Sequence, residues 1–470
     1  MQIFNSFFGL IKALAILMRY NVMPYNSKIN GKNVVLALQA LGPTYIKLGQ
    51  SLSSRVDILG ENIATQLLSL CDKVPPFSNI SAISIIESEL SEKVEILFSE
   101  FMPIPIASAS IAQVYKAKLT DGKEVAIKVL RPNIEKMFKK DIATLRLAAY
   151  LLNMFPAFKR LRLVEIVNLF AQSCNLELDL RFEAANAEEL KENTKNDKGF
   201  RVPLVYWQYT RRRILTTEWI EGVPIYDLER IKNPEKIAEN LVMTFCNQCY
   251  RDCFFHADMH PGNLLVDNNG NLVVVDFGIM GRLDRITGIY VAEILAGFLK
   301  KDYAKIAKIH FNAGYVKSHN KNFITACRAI GAPIVGQSVK KISAAELLSQ
   351  LFKITSDFDM PVQPQLALLQ KTMILIEGAC RRLYPEINIW EIAEKWFDER
   401  PNNGTLQYLE KAKNSKVGLL AKSLSRIINK SEELLDLKIK EKNKNYYKTF
   451  CFMLIGITAA MKYTQKLHRA

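Results

Sequence analysis

The chain has 470 residues, with 63 Lys and Arg against 47 Asp and Glu, a formal net charge of +16 and a pI of about 9.3. That length implies two or three domains, and 49% hydrophobic with 23% charged residues excludes a disordered chain. The basic surplus asks for an anionic partner. Much of it lies in residues 411–448, among Leu419, Leu420, Leu424, Ile427 and Ile428 at helical spacing. A basic amphipathic helix fits a bilayer surface better than a nucleic-acid groove, so no nucleic-acid partner is expected; a solvated helix packed on the core is the alternative.

Residues 1–20 hold only Lys12 and Arg19 among bulky apolar side chains, without a basic leader region or a small-residue cleavage site. They read as an interfacial helix or a hydrophobic cap. Residues 30–100 read as helical, with Val34, Leu38, Leu41, Ile63, Leu67 and Leu70 at three- and four-residue spacing and Pro75-Pro76 as a breaker. After Pro103 the texture changes. Residues 112–117 alternate as a strand, Asp121-Gly122 supplies a hairpin turn, and residues 125–130 form the return strand. Helical spacing resumes over 134–191, short strands follow at 201–205 and 213–220, and 236–255 reads as a buried helix. That helix contains Cys246, Cys249 and Cys253, which read as core residues rather than a metal cluster, and the eight cysteines without paired short spacings suit a reducing cytoplasm. A hairpin surrounds Asn268-Asn269-Gly270, and everything beyond Ile286 reads as helix. Residues 449–461 are uncharged but shorter than the roughly 20 residues that span a bilayer. Spanning, shallow anchoring and a buried helix all fit them.

The pattern with most chemistry is His256-Ala257-Asp258-Met259-His260-Pro261-Gly262-Asn263, then a hairpin, then Asp276-Phe277-Gly278. An Asp, an Asn five positions later and Asp-Phe-Gly beyond a hairpin form the catalytic and metal-binding arrangement of kinases. Mg²⁺ ions that neutralise phosphates need hard oxygen ligands, here Asn263 and Asp276, while Asp258 would orient a nucleophile or take its proton. His256 and His260 read as structural supports of the loop. Lys128, ending Val125-Ala126-Ile127-Lys128, would reach the nucleotide phosphates and needs a carboxylate partner. Glu177, Asp179 and Glu183 lie on one expected helix, with Asp179 and Glu183 on a shared face. Where kinases place a glycine-rich lid, this chain has Ala107, Ser108, Ala109, Ser110, Ile111, Ala112, Gln113 and Val114. Each Cβ there restricts how closely the backbone folds over phosphates, so lid geometry and nucleotide preference should differ from those of an ordinary kinase.

Lys47-Leu48-Gly49-Gln50, the alanine-rich PIASASIAQVYKA, Glu177-Leu178-Asp179, HADMHPGN and DFG resemble the motif set of the UbiB family of atypical kinases, over residues 30–400. The resemblance implies an α+β, two-lobed protein-kinase-like fold with an N-terminal helical KxGQ extension and a helical C-terminal tail. The expected divisions are a membrane-proximal segment (1–30), the KxGQ extension (31–104), an N-lobe (105–220), a C-lobe (221–400) and a basic tail (401–470). It also implies ATP or ADP with Mg²⁺, and a role in ubiquinone biosynthesis at the cytoplasmic face of a bacterial inner membrane, peripheral or with one C-terminal anchor. Implied partners are membrane lipids or polyprenyl quinone intermediates, other ubiquinone-biosynthesis proteins and a second copy of the chain. Lys47 and Gln50 would occupy the region where a protein substrate sits, anchored by Glu177 and Asp179, and Glu183 would pair with Lys128, with Glu177 as the exchange candidate. Ser54, Val56 and Tyr115 depart from the more usual Thr, Pro and His. Competing readings are a conventional Ser/Thr kinase, disfavoured by the missing Ala-Pro-Glu, and a nucleotide-switched module that binds lipid. A polyprenylphenol hydroxylase is a third, disfavoured because no flavin fingerprint or metal triad is visible.

Overall fold

A computed structural model describes residues 2–22, 30–53, 59, 62, 63, 66, 67, 70, 76–155, 162–312, 321–335, 343, 347 and 364–398. The chain divides into Met1–Arg400 and Pro401–Ala470. The basic segment 411–448 and the apolar segment 449–461 fall in the second unit, outside the described residues; Ser54 and Val56, in the first unit, also lie outside them.

Helix α1 (Gln2–Arg19) lies along α6 (Ile134–Leu152). The contact is close because Gly9 carries no side chain: a Cβ there would lie 2.5 Å from Thr144 Oγ1. Ser6 and Ala13 are buried, whereas Phe7, Ile11, Leu14 and Met18 form an exposed apolar stripe at helical spacing. Helices α2 (Gly31–Leu41) and α3 (Pro43–Leu52) follow, and Ile46, Leu67 and Leu70 make their shared core with Val34 and Leu38. Gly49 is the point of closest approach, since a Cβ would stand 2.4 Å from Leu70 Cδ1 and 2.7 Å from Leu38 Cδ1. Thr44 ties α3 to α6 by donating to Asp141 Oδ2 at 2.7 Å.

Helix α4 (Asn79–Leu90) and the short α5 (Val94–Leu97) lead into an antiparallel sheet. Its strands are β1 (Phe98–Phe101), β2 (Ala107–Ser108), β3 (Ala112–Leu119), β4 (Glu124–Leu130) and β6 (Ile214–Glu218), in the order β1-β3-β4-β6 with β2 on β3. Gly122, at φ 88°, supplies the left-handed position of the β3–β4 turn. Strand alternation sorts the two faces. Tyr115, Ala117, Leu119, Val125, Ile127 and Val129 pack with Ile85 and Ile86 of α4, while Lys128 and its cross-strand neighbour Val114 face the other way.

Among the described residues, the helical span expected over 134–191 holds three helices: α6, α7 (Leu163–Glu177) and α8 (Leu180–Thr194). Asp179 breaks the last two apart. It is extended, at φ −125° and ψ 95°, and its carboxylate accepts from Arg181 N as the N-cap of α8. Periodicity alone carries no mark of that break.

A second sheet, in the order β5-β10-β9-β7, contains β5 (Phe200–Arg201), β7 (Gly222–Pro224), β9 (Leu264–Asp267) and β10 (Leu272–Val274). The helix expected over 236–255 ends early: α9 is Pro234–Cys246, then Asn247–Arg251 form a π-turn and Phe254–His256 are strand β8. Cys253, at φ 54°, makes the reversal. Strand β8 pairs antiparallel with β11 (Met280–Arg282), His256 opposite Met280. Among the described residues the elements beyond β11 are helices: α10 (Arg285–Leu299), α11 (Tyr303–Asn312), α12 (Lys321–Val335), α13 (Pro364–Leu383) and α14 (Ile389–Asp398). Helix α13 packs on α9 and against β11, which brings it beside the loop that follows β8.

Candidate active site

Lys128 leaves β4 on the face away from the α4 core, and its Nζ donates to Glu183 Oε1 and Oε2 at 2.7 and 3.0 Å and to Asp276 Oδ2 at 3.0 Å. Glu183 sits in the first turn of α8, so the Asp179 cap that starts this helix also sets where its carboxylate stands. The partner of Lys128 is therefore Glu183; Glu177 is engaged elsewhere. Burial alone would lower the Lys128 pKa, but the Asp276 and Glu183 carboxylates outweigh it and hold the ammonium above its ordinary value. Burial pushes the Glu183 carboxyl up, with Lys128 opposing. Burial would also raise Asp276, but Lys128, the Gly278 N–H and the more distant charge of Lys47 hold it well below the usual carboxylate range.

A hydrogen-bonded chain runs from Asp276 to Asp258. His256 Nε2 bonds the Asp276 carbonyl, and its Nδ1 accepts the Asp258 N–H at 3.2 Å. That pattern fixes the neutral tautomer with the proton on Nε2, and burial lowers the His256 pKa accordingly. Asn263 Nδ2 donates to the Asp258 carbonyl at 3.1 Å, and Val275 N donates to Asn263 O at 3.1 Å. Lys128, Asp258, Asn263 and Asp276 thus belong to one connected cluster. His260 accepts from Gly262 N through Nδ1 at 3.0 Å, shaping the turn before Asn263.

The donor set fits Mg²⁺. Asp276 is held as a carboxylate, and the Asn263 amide nitrogen is committed to Asp258, which leaves its oxygen as the end suited to a cation; both are hard oxygen ligands.

The alanine-rich segment forms β2 and a turn closed by Ala109 N donating to Ala112 O at 2.8 Å. Arg131, which sequence reasoning passed over, straps it. Its Nε donates to Ala109 O at 3.0 Å, its Nη2 to Ser108 Oγ at 2.8 Å, and its guanidinium lies over the Phe77 ring. Val114 stands on the Lys128 face. Gln113 does not: it is fully buried on the opposite face, where its Oε1 accepts from Tyr115 at 2.6 Å, so its side chain is corrected from nucleotide contact to core. Ser110, Ile111 and Ala112 are also buried, which leaves the backbone of this turn as the part that could meet phosphate.

Lys47 Nζ lies 2.9 Å from Glu177 Oε2, with both side chains nearly buried. Gln50 Nε2 donates to Leu70 O at 3.2 Å. Asp179 is not the second anchor expected for Lys47. It pairs with Arg181 at 2.7 Å and caps α8, because the chain turns extended there and directs its carboxylate back to the α8 amides. The other residue missed was Lys371 of α13, whose Nζ donates to Asp258 Oδ1 at 2.9 Å from 113 positions away.

A match to the ABC1 atypical kinase-like domain covers residues 69–310, and a match to the UbiB helical domain covers residues 327–388. The chain belongs to the UbiB family of atypical kinases. It is 40% identical over 400 residues to "Probable protein kinase UbiB" of Marinobacter nauticus, covering 83% of this chain and 73% of that protein. It is 39% identical over 443 residues to the protein of the same name in Pseudomonas putida (strain W619), covering 91% and 81%. Among solved structures, the Rv3197–erythromycin complex from Mycobacterium tuberculosis aligns with a TM-score of 0.47 and 22% identity over 74% of this chain and 90% of that one. In this UbiB-family chain the kinase-like match holds the Lys128, Asp258, Asn263 and Asp276 cluster, and the helical match holds Lys371.

Proposed function

We propose that this UbiB-family protein binds Mg-nucleotide at the side-chain cluster carried by β4, α8 and the β8–β11 segment, and uses ATP turnover to support ubiquinone biosynthesis at a membrane. The observation that carries the reading is the Lys128 ammonium held between Glu183 and Asp276, hydrogen-bonded through His256 to the Asp258 loop. An ammonium so held is a fixed positive charge for anionic phosphates. Asn263 and Asp276 would hold Mg²⁺, which neutralises phosphate charge when bound. Asp258 would orient the attacking water or hydroxyl and take its proton; the γ-phosphorus forms a bond to that oxygen, the bond to the β-bridging oxygen breaks, and ADP leaves with the electron pair. Lys47, fixed on Glu177 and close enough to act on Asp276, supports a site roofed by α3, which favours water or a small lipid-like acceptor over a bulky protein.

The ubiquinone role extends the UbiB name of the bacterial relatives to this chain, and a location at the bacterial inner membrane is proposed with it. Among the described residues no helix is long and apolar enough to cross a membrane. The exposed stripe of Phe7, Ile11, Leu14 and Met18 supports a surface association of this end of the chain. Other ubiquinone-biosynthesis proteins, quinone intermediates and a second copy of the chain are the proposed partners. The test is phosphate release from MgATP by purified protein, with and without anionic vesicles and a phenolic quinone-precursor analogue. Turnover that needs Mg²⁺ and Asp258 and rises with vesicles is expected; release unaffected by Asp258→Asn would overturn the catalytic assignment.

A further inference from the structure

Asp258 is expected to orient an acceptor, yet its own loop fixes only its backbone. The N–H goes to His256 and the carbonyl receives Asn263, while the carboxylate is free to rotate about its side-chain bonds. The charged and titratable groups around that carboxylate divide clearly. His256 is neutral and spends both ring nitrogens on backbone groups. His260 Nε2 is 3.8 Å from Oδ2, beyond hydrogen-bond range, and its Nδ1 is used by Gly262. Asp276 is turned onto Lys128 and Gly278. Among the described residues, Lys371 alone stands within hydrogen-bond distance of the carboxylate, at 2.9 Å from Oδ1.

An exposed Lys–Asp pair would fix little. This pair is mostly covered, at 16% and 23% side-chain exposure, and Lys371 projects from a helix seated by Ala367, Thr372, Ile376 and Cys380. Cys380 lies 3.6 Å from the Ala238 carbonyl of α9, so α13 is registered against the helix that leads into the catalytic loop.

We infer that Lys371, supplied by the helical domain after the kinase-like domain, is the positioning residue that aims the Asp258 carboxylate for phosphoryl transfer. The inference rests on the proposed turnover. It makes catalysis contingent on α13 being docked, while nucleotide binding, which uses Lys128, Asn263 and Asp276, is left independent of α13.

The test uses the full chain and its Lys371→Met, Lys371→Arg and Asp258→Asn variants, with the Asp258→Asn/Lys371→Met double variant. Charge-assisted hydrogen bonds contribute about 1.5–3 kcal/mol, so Lys371→Met should lower kcat roughly 10- to 100-fold. KM for MgATP and Kd for MgADP should stay within about twofold, because neither is assigned to Lys371. Lys371→Arg should restore most of the lost kcat. The double variant should be no slower than Asp258→Asn, since a residue acting only through Asp258 has nothing further to lose. A Lys371→Met kcat within twofold of wild type overturns this inference alone. Loss of MgADP affinity in parallel with kcat, without rescue by Arg, assigns Lys371 to folding and overturns it too. A wild-type protein without Mg²⁺-dependent turnover overturns both this inference and the proposed function.

Discussion

Removing the Lys128 side chain while keeping its bulk, as Lys128→Met, should expose how the cleft is balanced. Glu183 has both oxygens on Nζ, at 2.7 and 3.0 Å, and among the described residues its only other hydrogen bond is a long one from Phe277 N at 3.4 Å. Without the ammonium, a buried carboxylate faces Asp276 with no compensating charge. Breaking a buried pair from one side costs about 3–5 kcal/mol, and about 3 is expected here because Asp276 keeps 40% exposure and can be resolvated. Glu183→Gln is milder, about 1–2 kcal/mol, because Lys128 retains Asp276. The double variant removes the stranded charge, so its cost should fall below the sum of the singles by about 2 kcal/mol. Urea unfolding at neutral pH, without nucleotide and with chelator, measures all four states. Lys128→Met should also regain more stability than the wild type as pH falls, because burial already raises Glu183 and the opposing ammonium is gone. Its Glu183, with a folded pKa raised above the unfolded value, binds a proton more readily when native. Additive costs within about 0.5 kcal/mol would refute a coupled cleft.

Gly49→Ala gains up to about 1 kcal/mol of helix propensity. Its Cβ meets Leu70 and Leu38 at 2.4 and 2.7 Å, which costs about 1–3, so a net destabilisation of about 1 kcal/mol is expected; a stabilised variant would contradict the packing. Arg131→Ala frees the alanine-rich turn, and amide exchange at Ala109, bonded to Ala112 O, should quicken about tenfold or more, with unchanged protection counting against the strap. Burial lowers the His310 pKa from 6.5 to about 4. A lowered histidine makes the native state bind fewer protons, so stability is lost as pH falls from 6.5 towards 4, by about 2 kcal/mol at pH 5. His310→Gln should lack that share of the acid slope, and an identical slope would remove His310 as its source.

The hairpins were readable because their turns need particular residues: Gly122 and Gly270 both sit at positive φ. The Asp258, Asn263 and Asp276 spacing was readable because one short loop and one hairpin hold it. The break at Leu178-Asp179 was not, since an Asp within a periodic run signals a cap only once the chain is seen to turn. Gln113 falls both in the expected lid and in the expected 112–117 strand, and it is the strand alternation that decides its side chain, placing it in the core on the Tyr115 face. Lys371 had no local signal at all, as one lysine on a helix looks solvated until α13 is docked on α9. Arg131 lies three residues beyond Lys128, near enough to have been suspected, but its targets are a backbone oxygen and a serine that no motif announces.

The most direct test is calorimetric titration of the purified chain with ADP, with and without Mg²⁺, beside Asp276→Asn. Saturable binding that needs Mg²⁺ in the wild type and is lost in Asp276→Asn is the expected result. Equal affinity in the two proteins, or no binding in the wild type, would contradict a nucleotide site built on Lys128, Glu183 and Asp276.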